Sequence, residues 1–247
     1  MPDVVGFRAK LGVVIPATNT VVEHDFNKLS PPGVTVHTAR IETPVTSLDS
    51  DAAFLHFLAA MRQNIYGAVD RVMSCEPDIL VMGMSSETFL GGAEGSHAFE
   101  RGLAERARVP IVSGAGALNS ALHAVGARRL SILTPYQPAI DKEVIRFLTD
   151  CGYEVVRLTG LQCPSATAIA RVTRDQVMAG LAASFDTRCD ALVQVGTNLA
   201  ALDATALAEA TFERPFVPIN VALMWQALRT AGITEPVRGL GQLLSLT

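Results

Sequence analysis

Two polar segments, each following a short apolar run, carry the residue types that could bind an acid. Residues 85–88 read Ser-Ser-Glu-Thr and follow the run 78–82, while Thr197 and Asn198 follow the run 190–195. Hydroxyl groups, an amide and free backbone N–H groups can hold a carboxylate or stabilise a developing negative charge. Glu87 could act as a general acid or base, although a serine with a glutamate nearby is also typical of a helix capping box.

Two further polar residues follow predicted strands. Asn19 lies between the run 10–16 and a predicted helix, where its amide could help to bind an anion or could simply cap the helix. Tyr136 ends the run 129–136 and could present its O–H group to the same ligand. A half-buried tyrosine that only packs against its neighbours would look the same in the sequence.

Apolar runs of strand length alternate with segments of helical period along the chain. Strands are predicted near 10–16, 34–39, 78–82 and 109–112, and helices over 51–75, 99–107 and 117–125. This order is typical of an α/β fold with mostly parallel sheets. The strands are apolar throughout, as expected when helices cover both faces of a sheet.

The second half of the sequence repeats the first. Segments 77–86 and 189–198 match at an offset of 112, 10–17 and 129–136 at 119, and 109–112 and 214–217 at 105. Three matches in the same order predict two pseudo-symmetric, Rossmann-like lobes, which we place at 1–120 with 220–247 and at 121–219. Ligands bind beyond the carboxyl ends of parallel strands, so the active site is predicted in the cleft between the lobes.

Composition excludes several classes of protein. The 247 residues are 49% hydrophobic and 18% charged with a net charge of −4, which rules out disorder and leaves no basic surface for nucleic acid. No run approaches the ~18 apolar residues of a membrane span, and no signal peptide is apparent. Four scattered cysteines indicate a reduced, cytoplasmic protein. The histidines show no metal spacing, and Gly114-Ala115-Gly116 lacks the third glycine of a dinucleotide-binding motif.

Five motifs that occur in order resemble the Asp/Glu racemase superfamily, in particular its branch of maleate cis-trans isomerase and arylmalonate decarboxylase. The similarity extends from about residue 10 to about residue 230. The motifs are Ile15-Pro16-Ala17-Thr18-Asn19-Thr20, Gly83-Met84-Ser85-Ser86, Leu133-Thr134-Pro135-Tyr136, Thr197-Asn198-Leu199 and the segment 217–225.

This resemblance implies chemistry on small carboxylic acids without cofactor or metal, in a protein that forms homo-oligomers. It also implies catalytic cysteines at the ends of equivalent strands, at the positions occupied here by Met84 and Gly196. Neither residue can supply the thiolate that the family's isomerases and racemases use. Asn19 and Tyr136 match residues of the family's site.

The sequence therefore predicts an enzyme for a small carboxylic acid, with no nucleic-acid or membrane partner. Asn19, Ser85, Ser86, Thr197 and Asn198 would hold the acid or an enolate, and Glu87 and Tyr136 would transfer protons. Decarboxylation or related enolate chemistry has the nearer relatives. Hydrolysis of an amide, imide or lactone, with Glu87 activating water, is the first alternative. A carboxylate-binding protein without activity is the second.

Overall fold

Eight strands form two parallel sheets in the computed structural model, which describes residues 3–43, 47–237 and 239–246. The strands are β1 (Ala9–Pro16), β2 (Val34–Ile41), β3 (Ile79–Met82), β4 (Ile111–Val112), β5 (Arg129–Thr134), β6 (Glu154–Gly160), β7 (Ala191–Gln194) and β8 (Phe216–Pro218). The first sheet has the order β2-β1-β3-β4 and the second the order β6-β5-β7-β8, so the two sheets have the same topology. The predicted α/β fold with two similar halves is confirmed.

Helices cover both sheets. In chain order they are α1 (Val22–Leu29), α2 (Asp51–Arg62), α3 (Ile65–Met73), α4 (Ser85–Thr88), α5 (Gly92–Ala107), α6 (Gly114–Ala124), α7 (Pro138–Asp150), α8 (Ala166–Ile169), α9 (Arg174–Ser184), α10 (Thr205–Phe212) and α11 (Ile219–Thr230). Strands β3 and β7 are buried along their whole length, as expected for central strands of a parallel sheet with both faces covered.

The repeat found in the sequence corresponds to equivalent strands. Strands β3 and β7 lie 112 positions apart at both ends, and both are central in their sheets. The polar segments after these strands therefore start from equivalent places in the two halves.

The helices that follow the last strand of each half pack against each other. Helix α6 follows β4, helix α11 follows β8, and the two are in extensive contact. Helix α11 also contacts α1 and β3, which belong to the first half of the chain. This packing is an argument for counting 220–247 with the first lobe, a division that stays a prediction.

The boundaries of all three predicted helices differ from the prediction, and α6 begins at Gly114 rather than at residue 117. The helix predicted over 51–75 is two helices, because the chain turns at Gln63 and Asn64, where the Asn64 side chain donates a hydrogen bond to the Glu42 carbonyl. The apolar spacing continues across this turn, so the sequence pattern does not reveal it. Helix α5 begins at Gly92 rather than near residue 99, after Gly91 in a left-handed conformation with φ of 78°. No helix among the described residues has the length and apolar character needed to cross a membrane.

Replacing each of two glycines by alanine tests how closely the neighbouring side chains pack against β1. A Cβ at Gly12, in β1, would lie 2.7 Å from Pro77 Cγ, whereas one at Gly67, in α3, would meet no atom closer than 3.7 Å. We expect Gly12→Ala to lower the free energy of unfolding by ~1–3 kcal/mol because the core is overpacked. Gly67→Ala should raise it by ~0.5–1 kcal/mol because alanine favours the helix. Urea unfolding of both variants measures the difference, and equal values would contradict this packing.

Candidate functional site

A small cavity lies between the carboxyl ends of the two sheets. The space open to the centre of a water molecule is about 50 Å³, so the cavity holds more than a single water and suits a small organic acid. The lining residues come from both halves: Pro16, Thr18, Asn19, Leu48, Phe54, Phe57, Met61, Met84, Ser85, Ser86, Tyr136, Ala166, Ile169, Gly196, Thr197 and Asn198.

Thr197 links the two halves at this cavity. Its backbone N–H donates a hydrogen bond to Ser85 Oγ at 3.3 Å, and its Oγ1 donates to the Gly83 carbonyl at 2.9 Å. Thr197 Oγ1 also accepts a hydrogen bond from Asn19 Nδ2 at 3.2 Å. Three segments that are distant in sequence therefore meet at one residue.

Asn19 both caps a helix and lines the cavity. Its Oδ1 accepts hydrogen bonds from the backbone N–H groups of Val21 and Val22, each at 3.0 Å, at the start of α1. These bonds fix the amide so that Nδ2 points to Thr197. Arg40 supports the same loop from outside, because its Nη1 donates to the Asn19 carbonyl at 2.8 Å.

Asn198 joins the cavity segments of both halves. Its Oδ1 accepts a hydrogen bond from the Thr20 N–H at 3.0 Å, and its Nδ2 donates to the Ala166 carbonyl at 2.8 Å. Both ends of the amide are thus occupied within the protein. Asn198 shapes the cavity wall and can reach a ligand only by exchanging one of these bonds.

Ser85 and Tyr136 form the second polar contact of the cavity. Ser85 Oγ lies 2.8 Å from Tyr136 Oη, and both side chains are buried. Burial raises the pKa of Tyr136 well above its usual value, against the opposing effect of the Ser85 hydrogen bond. Tyr136 is therefore a neutral O–H group at physiological pH. Its ring packs edge-on against Phe54, with the ring centroids 5.6 Å apart.

Apolar side chains complete the lining. Leu48, Phe54, Phe57 and Met61 come from α2 and the segment before it, and Ile169 comes from α8. None of the described lining residues carries a charge at neutral pH. A bound anion would therefore be held by neutral donors in surroundings of low dielectric constant, where each donor has a larger effect than in water.

Glu87 is buried but is not one of the lining residues. Its Oε1 pairs with Arg62 Nε, and its Oε2 has no hydrogen-bond partner among the described residues. Burial raises the pKa of Glu87, and the pairing with Arg62 opposes this effect. Arg62 lines a separate, more open groove on the surface. The short helix α4 thus brings Ser85 and Ser86 to the cavity while Glu87 faces Arg62, and its role in proton transfer stays a prediction.

Both predicted cysteine positions of the family lie in the cavity lining, at Met84 and Gly196. Gly196 has a φ of 110°, and a Cβ on it would lie 2.5 Å from Pro135 Cγ. A side chain at this position would require the backbone to change. The four cysteines, Cys75, Cys151, Cys163 and Cys189, are free thiols outside the described lining.

Sequence reasoning missed three buried polar side chains behind the cavity: Asp25, Asp141 and Asn220. Asn220 and Asp25 are hydrogen-bonded to each other across 195 positions of the chain, so no local pattern identifies this pair. Asp141 accepts a hydrogen bond from Thr134, seven positions earlier. The apolar lining residues of α2 were predicted only as one face of a helix. Within the described residues, no group of three or more His, Cys, Asp and Glu side chains is arranged to hold a metal ion.

Comparison with known proteins identifies relatives along nearly the whole chain. A sequence model of the arylmalonate decarboxylase family matches residues 61–244. The maleate isomerase of Nocardia farcinica (strain IFM 10152) is 25% identical over 245 residues, which cover 95% of each chain. The maleate isomerase of Pseudomonas putida KT2440 is 24% identical over 254 residues, covering 96% of this chain and 97% of the relative.

Solved structures of such proteins have the same fold. The maleate cis-trans isomerase of Nocardia farcinica bound to TRIS superimposes with a TM-score of 0.86 at 25% identity, covering 96% of this chain and 98% of that one. A variant of that enzyme has been solved with a covalently bound succinylcysteine intermediate. A structure of arylmalonate decarboxylase gives a TM-score of 0.78 at 20% identity, covering 96% and 100% of the two chains.

Asp141 is a buried titratable group outside the cavity lining, and it is connected to Tyr136 through Thr134. Thr134 Oγ1 donates a hydrogen bond to Asp141 Oδ1 and accepts one from the Tyr136 N–H at 3.3 Å. Burial raises the pKa of Asp141 from 3.8 to about 6, the Thr134 hydrogen bond opposes this shift, and the charge of Asp51 adds to it. The carboxyl group is thus easier to bury when it is protonated.

We expect Asp141→Asn to remove a pH dependence of stability. Between pH 3.8 and about 6 the unfolded chain ionises Asp141 while the folded protein keeps the proton. The stabilisation from the protonated group is therefore complete below pH 3.8 and is lost as pH rises through 6, a change of up to about 3 kcal/mol. Urea unfolding of the wild type and the variant from pH 4 to 7 measures this, and parallel stability curves would contradict it.

Proposed function

The chain belongs to the arylmalonate decarboxylase family, and from this premise we propose that it is a cofactor-independent enzyme acting on a small carboxylic acid. The acid binds in the cavity between the two halves, and the reaction passes through an enediolate. One observation carries the proposal: neutral hydroxyl and N–H donors of both halves meet at a cavity that is otherwise apolar.

The donors suit a carboxyl group whose negative charge increases during the reaction. Ser85 Oγ is within hydrogen-bond distance of both Tyr136 Oη and the Thr197 N–H, so a carboxylate that enters can exchange these internal bonds for bonds to its own oxygens. Donors fixed in advance stabilise an enediolate more than a carboxylate, because the enediolate has the greater charge.

The apolar lining favours loss of CO₂ from a malonate-type acid. A carboxylate beside Leu48, Phe54 and Phe57 loses its hydration without gaining a cation, and this raises its energy relative to neutral CO₂. The bond from Cα to this carboxyl carbon breaks, and its electron pair passes to the retained carboxyl group.

Tyr136 Oη donates its proton to Cα, and the tyrosinate then regains a proton from water. The enediolate is a much stronger base than a tyrosinate, so the raised pKa of Tyr136 does not prevent this transfer.

Isomerisation of maleate by covalent addition is less well supported by the geometry. A maleate isomerase relative has been solved with a succinylcysteine intermediate, which needs a nucleophilic thiol. The cavity lining offers Met84 and Gly196 at the equivalent strand ends, and its hydroxyls are poor nucleophiles without an adjacent base.

Proton NMR of the protein in D₂O with phenylmalonate, maleate, a cyclic imide and a maleamate tests the proposal. We expect phenylmalonate to be converted to phenylacetate that carries deuterium at Cα, and maleate to remain unchanged. Fumarate formation would show the isomerase reaction instead. Ring opening or release of ammonia, abolished in Glu87→Gln, would show the hydrolase. Shifted ligand signals without any product would show a binding protein.

Tyr136→Phe tests the proton donor. We expect it to lower kcat for phenylmalonate by ~10²–10⁴-fold, the usual contribution of a general acid, with a smaller change in KM. Tyr153→Phe is the matched control, because Tyr153 is a partly buried tyrosine whose hydroxyl contacts Asn119 away from the cavity. If the two variants turn over phenylmalonate equally fast, Tyr136 is not the donor.

A further inference from the structure

The backbone carbonyls of two equivalent cavity residues are each held by a side chain that does not line the cavity. Thr88 Oγ1 donates a hydrogen bond to the Ser85 carbonyl at 2.7 Å, and Asn220 Nδ2 donates to the Thr197 carbonyl at 3.0 Å. Ser85 and Thr197 are separated by the same 112 positions as β3 and β7. The two halves therefore support equivalent carbonyls with different side chains.

Asn220 is oriented without ambiguity. Its Nδ2 donates one hydrogen to the Thr197 carbonyl and the other to Asp25 Oδ2 at 2.8 Å. The flipped amide would place its oxygen against a carbonyl oxygen and a carboxylate, both of which are acceptors. The orientation found leaves the buried Asn220 Oδ1 without a hydrogen-bond partner among the described residues.

Asp25 completes the support in the second half. It lies on α1, is only 2% exposed, and has His24 Nδ1 3.1 Å from its other oxygen. Helix α1 is the one capped by Asn19. Asp25 and Asn220 thus connect α1, the helix capped by the cavity residue Asn19 of the first half, to the carbonyl of the cavity residue Thr197 of the second half.

Thr88 has the corresponding place in the first half. It is fully buried, and its Oγ1 accepts a hydrogen bond from the Ala115 N–H at 3.0 Å while it donates to the Ser85 carbonyl. Ala115 lies in the first turn of α6, and Asn220 lies in the first turn of α11. Each support therefore joins a cavity residue to the helix that follows the last strand of its half.

We propose that Thr88, and Asn220 together with Asp25, are positioning residues that fix the backbones of Ser85 and Thr197. They direct Ser85 Oγ and the Thr197 N–H toward each other and toward the cavity, where a ligand's carboxylate meets both. The effect on turnover rests on the function proposed above, whereas the effect on the backbone does not.

Amide hydrogen exchange by NMR tests the positioning directly in the ligand-free protein. The Thr197 N–H donates to Ser85 Oγ, so displacement of either residue exposes it. We expect its exchange to become about tenfold faster or more in Thr88→Val and in Asn220→Leu. Thr205→Val and Asn119→Leu are matched controls that should leave it unchanged. Thr205 donates to the Ala201 carbonyl and Asn119 contacts Tyr153, and none of these residues lines the cavity or contacts Ser85 or Thr197 by a hydrogen bond.

Conservative variants separate positioning from general stability. Thr88→Ser keeps a hydroxyl, and Asp25→Asn keeps an acceptor for Asn220, so both should retain slow exchange at Thr197, whereas Asp25→Leu should not. If Asn220→Leu does not fold, the nearly isosteric Thr88→Val decides the question. Exchange at Thr197 that is as slow in the folded Thr88→Val and Asn220→Leu variants as in the controls overturns the proposal.

Turnover provides the second readout. On an acid that the protein converts, we expect Thr88→Val and Asn220→Leu to lower kcat by about ten- to a hundredfold with KM changed much less, because misplaced donors act mainly on the transition state. An equal loss in the two control variants would overturn the assignment. If no acid is converted, the proposed function fails while the exchange result still decides the positioning roles.

Discussion

Thr197 provides the connection on which the cavity depends. Its N–H reaches Ser85, its hydroxyl reaches the Gly83 carbonyl and accepts from Asn19, and its carbonyl accepts from Asn220. Every polar group of this residue is thus used between the two halves or against a neighbouring helix. The carboxyl ends of β3 and β7 are held face to face by these bonds, and the cavity is the space that remains beside them.

This arrangement allows chemistry on an anion without a charged partner. The lining has hydroxyls, amides and apolar side chains, while the buried carboxyl groups of Glu87, Asp25 and Asp141 lie outside it. A carboxylate in such a cavity depends on fixed dipoles, and these act most strongly where water is excluded. The two equivalent strand ends, occupied by Met84 and Gly196, contribute volume and backbone rather than a nucleophile.

The repeat made much of the fold predictable. Segments 77–86 and 189–198 located β3, β7 and the polar loops after them, because parallel strands with equivalent neighbours end at equivalent places. The repeat could not predict where the Glu87 side chain points. Its orientation depends on the single turn of α4 and on the pairing with Arg62, which is 25 positions away. The contact between Asn220 and Asp25 could not be predicted from the sequence for a similar reason. The two residues are 195 positions apart, and only the completed fold brings them together.

A crystal structure with phenylacetate, the product expected from phenylmalonate, is the most direct test of the site. We expect carboxylate oxygens within hydrogen-bond distance of Ser85 Oγ, Tyr136 Oη and the Thr197 N–H, with the ring against Phe54 and Phe57. Phenylacetate bound instead in the surface groove beside Arg62, or an empty cavity at saturating ligand, would contradict it.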